Sequence, residues 1–201
     1  MFRPHDREVA RGTLGFTRPT LLAVGNLVAL KRHWLMVEAL ALLPEFELVI
    51  VGDGPERVNI EKLVRERKVA GRVRLLGRVP QDRLPEIYSA ADLLLLVSTH
   101  EGWPNVLLES MACGTPVVAS PLDGIADIVG APEAGRVLAD VTPSGLASAI
   151  REILAAPPSR AATRRYAEQF DWRSTTEGQI ELFHEIMERR SNARPVPSHV
   201  A

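Results

Sequence analysis

Six short apolar runs, each followed by a longer stretch, constrain this chain more than any other feature. They are "TLLAVGN" (20–26), "FELVIVGDG" (46–54), "RVRLLGRV" (72–79), "DLLLLVS" (92–98), "TPVVAS" (115–120) and "GRVLA" (135–139). Several are apolar at consecutive positions, as strands covered on both faces are. The intervening stretches 33–44, 55–69, 81–91, 104–114, 124–130 and 142–156 read as helices. Pro55 stands at a plausible first helical position, and the 104–114 helix starts at a Pro and ends at a Gly. A strand–helix alternation of this kind predicts an α/β domain: a Rossmann-like parallel sheet with helices on both faces, connected right-handedly. The ends differ from the middle. Residues 1–19 contain a short helix candidate, "DREVARGTLG", and no strand. Residues 159–190 read as two further helices, and the Pro-rich polar tail 191–201 as disordered. The expected division is therefore a linker-like segment 1–19, a domain 20–190 and a tail.

Composition narrows the function classes. The net charge is -1, so no basic field argues for nucleic acid or an anionic membrane. Cys113 is the sole cysteine, so no disulfide forms within the chain, in keeping with a reducing compartment. No apolar run reaches ~18 residues, the length of a transmembrane helix, and "MFRPHDREVARG" lacks the apolar core of a signal peptide. The expectation is a cytoplasmic protein.

In an open parallel sheet, ligands sit beyond the carboxyl ends of the strands. The segments there are Gly25-Asn26 with Lys31, then Gly52-Asp53-Gly54, Gly77-Arg78-Val79, His100-Glu101-Gly102, and 121–124. Glycine lets backbone approach a ligand closely. Helices that start just after such loops offer N–H groups and a partial positive charge, which suit phosphate. Lys31 is placed to meet a phosphate oxygen. Glu101 lies at a loop tip and Glu109 about one and a half turns into the next helix. Two ionised acceptors beside a phosphate site suit hydroxyls, a ribose diol and a sugar, so the ligand expected is a nucleotide sugar. Taken one at a time, Glu101, Glu109 and Lys31 also read as solvated surface charges. Asp53 reads as a residue that shapes its turn, and Cys113 as a small buried residue. No cluster has metal-ligand spacing, and the Asp-x-Asp motif of many metal-dependent sugar-nucleotide sites is absent.

"HEGWPNVLLESMACGTPVVAS", with its two Glu separated by seven residues, resembles the signature of glycosyltransferase family 4. "VGNLVALKRH", "LVIVGDGPER", "VRLLGRVPQDRLPEIYSAADLLLLVS" and "DGIADIV" follow the family's order, and "MFRP" resembles its interdomain segment. The resemblance covers about residues 1–186 and is to the C-terminal half of such enzymes only. It implies one half of a GT-B fold, the half that binds the nucleotide sugar, with an N-terminal acceptor domain or partner subunit missing. It implies a retaining, metal-independent transfer with no cofactor beyond the donor substrate, to a glycan, lipid or small-molecule acceptor. Any membrane association would come through the missing half. By position, Glu101 matches the Glu on the donor sugar hydroxyls and is the catalytic candidate, and Glu109 matches the Glu on the ribose. Lys31 matches the base on the diphosphate, and Gly25 and Asn26 belong to the same loop. Arg78 and Val79 match the turn at the nucleobase. Gly102, Trp103, Pro104, Asn105 and Val106 match the loop along the sugar phosphate. Asn26 stands where many members have Arg, which removes one charge partner of the diphosphate. The alternative reading is a stand-alone nucleotide-sugar-binding module without turnover. An epimerase or phosphorylase of related fold is disfavoured by the Glu pair.

Overall fold

The computed structural model describes residues 2–170, 180 and 183–187. The chain divides into two compact units, Met1–Glu168 and Gln169–Ala201. The first holds a six-stranded sheet: β1 (Thr20–Val24), β2 (Glu47–Val51), β3 (Val73–Gly77), β4 (Leu93–Leu96), β5 (Val117–Ala119) and β6 (Gly135–Val137). Every neighbouring pair is parallel and the order is β3-β2-β1-β4-β5-β6. That is the doubly wound order with its topological switch between β1 and β4. All six expected strands are present, each trimmed at its ends.

The four inner strands β2, β1, β4 and β5 are buried on both faces because their side chains alternate between two cores, whereas the edge strands β3 and β6 are only partly buried. Leu21, Ala23, Leu48, Ile50, Leu93, Leu95 and Val118 join one cluster with α2 (His33–Ala41), α3 (Arg57–Glu66) and α7 (Pro143–Ala155). Leu22, Val49, Val51, Leu94, Leu96, Val117 and Ala119 join the other. That second face is covered by α1 (Arg7–Leu14), α4 (Leu84–Ala90), α5 (Asn105–Ala112), α6 (Ile125–Ile128) and α8 (Arg160–Ala167). Burial of large aliphatic side chains on this scale, ~1.5–3 kcal/mol each, is what drives the chain into layers.

The helix expected in 1–19 forms as α1, capped by the Asp6 side chain on the Val9 amide and closed by Gly15 at φ 65°. It belongs to the first unit, since Ala10 and Phe16 are buried in the second cluster. The first unit ends at Glu168, inside the domain expected to run to 190. Of the two C-terminal helices, α8 is present and residues 183–187 are helical. Trp172, Leu182 and the 191–201 tail lie outside the described residues.

Candidate functional site

The site is built where β1 and β4 end side by side. After Val24 the chain turns through Gly25 and Asn26 into a short 3-10 turn, Ala29–Lys31, and then α2. After Leu96 it runs through residues 97–104 into α5. Two loops 70 residues apart in sequence meet there: Lys31 Nζ donates to Glu101 Oε1 at 2.6 Å and to Oε2 at 2.9 Å. The Glu101 side chain is only 9% exposed and that of Lys31 20%. Ser98 Oγ donates to the same Glu101 oxygen, and the Thr99 amide donates to the Leu30 carbonyl at 2.8 Å. Glu101 is thus a fixed carboxylate beside a fixed ammonium, not a solvated loop acid.

Glycines let the neighbouring loop pack against this one. A Cβ on Gly52 would fall 1.9 Å from the Gly25 carbonyl oxygen, and Gly52 itself has φ 132°. The Leu27 amide donates to Asp53 O, and the Asp53 side chain caps the Gly54 amide at 2.8 Å, so Asp53 shapes the turn as expected. Asn26 is exposed.

Glu109 is held separately. Tyr88 in α4 donates its hydroxyl to Glu109 Oε2 at 2.9 Å. Burial pushes the Glu109 carboxyl above its ordinary value, and the Tyr88 hydrogen bond opposes that rise. Tyr88 is fully buried, which drives its own phenol strongly upward and keeps it a neutral donor. Phe2, from the segment resembling an interdomain linker, sets its ring edge-on to Tyr88 with centroids 6.0 Å apart.

Arg78 and Val79 lie apart from the ion pair, beyond the end of β3. Two strand spacings separate β3 from β1, about 10 Å. The β2–β3 register slips so that Val51 pairs with Gly77 and leaves Leu76 as an extra residue. With Gly77 at φ 70°, this bulge turns the chain out to an exposed Arg78 and a half-buried Val79. In the loop after Glu101, Gly102 and Asn105 are exposed and Trp103 is 56% exposed. Pro104 is buried, and Val106 packs against the second core.

The helices α2, α3 and α5 begin with no side-chain cap, whereas Asp6, Thr142 and Ser159 cap α1, α7 and α8. α4 and α6 likewise lack a side-chain cap, so the uncapped starts follow each of β1 to β5. Those of α2 and α5 lie at the switch point, where a ligand's oxygens can take the place of a cap. Among the described residues, no group of His, Cys, Asp or Glu is arranged to hold a metal ion. No helix among them is long and apolar enough to cross a membrane.

Three contributors escaped the sequence reading. Arg32 and Ser98 flank the ion pair, and Tyr88 holds Glu109. Both Arg32 and Tyr88 lie inside stretches quoted above, but neither residue type nor position assigns them a role.

In a doubly wound domain ligands sit in the crevice at the switch point, which is where this cation–carboxylate pair lies. The particular family follows from comparison. The model of the group 1 glycosyl transferases matches residues 6–170, and the chain belongs to that family. It is 34% identical over 187 residues to a D-inositol 3-phosphate glycosyltransferase of Mycolicibacterium gilvum, covering 88% of this chain and 42% of that protein. Sucrose-phosphate synthase from Thermosynechococcus elongatus superposes with a TM-score of 0.80 at 30% identity, over 94% of this chain and 50% of that one. Anabaena HepE, solved with UDP and glucose, shares the fold with a TM-score of 0.78 at 23% identity, over 89% of this chain and 52% of that one. The chain spans about half the length of the relatives it matches.

Proposed function

We propose that this chain is the donor-binding half of a retaining glycosyltransferase that moves a sugar from a nucleotide sugar to a glycan, lipid or small-molecule acceptor. The observation that carries this reading is the part-buried Lys31–Glu101 pair at the ends of β1 and β4. Lys31 and the uncapped helix starts meet the diphosphate, and Glu101 accepts from the sugar hydroxyls. Glu109, poised by Tyr88, accepts from the ribose diol. The turn at Arg78 and Val79 lies about 10 Å to the side, a distance suited to the nucleobase. The departing diphosphate is stabilised by these fixed positive groups, so no metal or further cofactor is needed. Attack comes from the face that the diphosphate leaves. An N-terminal domain or partner subunit supplies the acceptor wall, and the setting is cytoplasmic.

Calorimetric titration of the 201-residue chain with UDP, ADP, GDP and their glucose and mannose esters, in EDTA, tests the reading. UDP-glucose leads the panel because HepE has been solved with UDP and glucose. One diphosphate and its ester bind, and Lys31→Met and Glu109→Ala each weaken both by roughly 1–3 kcal/mol, the scale for hydrogen bonds to charged groups. The chain alone glycosylates no acceptor at a useful rate, because positioning both reactants is worth ~7–11 kcal/mol. Absence of binding across the panel, a requirement for a divalent metal, or an indifferent Lys31→Met would each sink the proposal.

A further inference from the structure

Arg32 occupies a backbone conformation that favours glycine, φ 47° and ψ 42°, immediately before α2. A large side chain persists there only where its surroundings hold it. Its guanidinium reaches across the switch point. Nε donates to Val97 O at 2.5 Å, and Nη2 donates to Ser98 O at 2.7 Å and to Ser120 Oγ at 3.1 Å. One side chain from the β1 loop therefore ties down the ends of both β4 and β5. All three acceptors are neutral oxygens, so these contacts fix position without forming an ion pair.

Ser98 is fully buried and is bonded twice: its carbonyl accepts from Arg32, and its hydroxyl donates to Glu101. Three consecutive residues thus grip the segment that carries Glu101. Leu30 holds Thr99, Lys31 holds Glu101, and Arg32 holds Val97 and Ser98.

We propose that Arg32 is a positioning residue for recognition of the donor sugar: it fixes Ser98, Ser98 fixes Glu101, and preference for a nucleotide sugar over the bare diphosphate depends on that relay. Arg32 itself does not touch the donor. The proposal rests on the reading that Glu101 meets the sugar hydroxyls.

Arg32→Gly separates this role from a merely structural one. Glycine adopts φ 47° without strain, so the substitution removes the relay while easing the backbone. The 201-residue chain and its variants are titrated with the tightest diphosphate of the panel above and with its sugar ester. Arg32→Gly lowers ester affinity about tenfold, an ordinary loss for a misplaced charged acceptor, and leaves diphosphate affinity within about twofold. Arg32→Lys also loses the preference, because it keeps the charge but not the planar fork. Ser98→Ala retains the gripped carbonyl and hence the local fold, and shifts the preference the same way. The double variant Arg32→Gly, Ser98→Ala loses no more than Arg32→Gly alone, since both act through one carboxylate. Equal weakening of both ligands by Arg32→Gly, or strict additivity in the double variant, overturns the relay. So does an Arg32→Gly that keeps the preference while Glu101→Gln loses it. A Glu101→Gln that keeps the preference instead removes the reading of Glu101 on which the relay depends.

Discussion

The two ends of the sheet use the same ingredients to opposite effect. At the amino ends, Asp92 just before β4 accepts from Arg7 at 2.5 Å, from Arg11 at 3.2 Å and from the Thr20 amide at 2.7 Å. Arg160 nearby spends its guanidinium on the carbonyls of Ser89, Ala91 and Cys113 and on Thr115 Oγ1. Prolines stiffen this end: Pro19 precedes β1 and Pro116 lies one residue before β5. At the carboxyl ends glycines take their place, as Gly25, Gly52 and Gly77, and the carboxylates sit on a loop, Glu101, and within α5, Glu109. A cavity of ≈ 390 Å³ opens at the amino end, between Arg7, Asp92, Arg160 and several prolines. Concavity and charge alone do not make a site. Most polar groups around that cavity are already engaged: Asp92 accepts from Arg7, Arg11 and the Thr20 amide, and Arg160 is spent on carbonyls and Thr115, although Arg7 Nε is buried without a partner among the described residues. At the other end, loops and uncapped helices surround the Lys31–Glu101 pair, to which the donor is proposed to bind.

The largest expected effect breaks the amino end. Asp92→Ala leaves Arg11 without a carboxylate, leaves Arg7 only the exposed Glu8 at 3.4 Å, and frees the Thr20 amide. Breaking such a largely buried pair costs about 3 kcal/mol, or about 10 °C in melting temperature for a chain of this size. Diphosphate affinity, measured well below the new midpoint, does not change. A variant that melts normally but fails to bind would mean that the two ends are not divided as described.

The second effect is smaller and lies beside the candidate site. His33 is 4% exposed, its Nδ1 has no hydrogen-bond partner, and burial followed by the charge of Lys31 pulls its pKa from 6.5 to about 4. The folded imidazole therefore stays neutral where the unfolded one takes a proton. Between pH 6.5 and about 4 the unfolded chain binds more protons, so this part of the stability is present above pH 6.5 and is lost as pH falls. The loss from pH 7 to pH 5 amounts to about 2 kcal/mol. His33→Phe flattens that acid slope in urea melts, and an unchanged slope would assign it to other groups.

Much of this was legible in the sequence, and the parts that were not have a common cause. Consecutive apolar residues mark a strand locally, so all six strands and the helices between them could be read from runs such as "DLLLLVS". Asp53 and Cys113 could be placed for the same reason, as a turn and a small buried residue depend on near neighbours. Lys31 and Glu101 could each be picked out from a motif as candidate site residues, and the structure brings them together. That they bond one another follows from β4 lying beside β1, a long-range fact that no local pattern carries. Arg32 was missed because its positive φ has no glycine to announce it. The Tyr88–Glu109 bond was missed because it joins two helices across the second core.

The smallest effect sharpens the comparison, because it turns on one hydroxyl. Tyr88→Phe keeps the buried ring and its packing on Phe2 but removes the donor to Glu109 Oε2. That hydrogen bond now stabilises the charged carboxylate against burial, so its loss raises the Glu109 pKa further. A raised carboxyl is ionised only above its pKa and takes a proton as pH falls through it. A protonated Glu109 has less acceptor capacity for a ribose diol, so diphosphate binding weakens on acidification, and in Tyr88→Phe it weakens from a higher pH. At the alkaline end of the profile, where the pH dependence has levelled off in both proteins, the difference shrinks to about twofold to fourfold, the worth of one ordinary hydrogen bond. Titrations of the diphosphate from pH 8 to pH 5 measure both quantities. If the two proteins give superimposable pH profiles, Tyr88 does not tune Glu109 for binding, and its hydroxyl belongs with the structural bonds of the amino end.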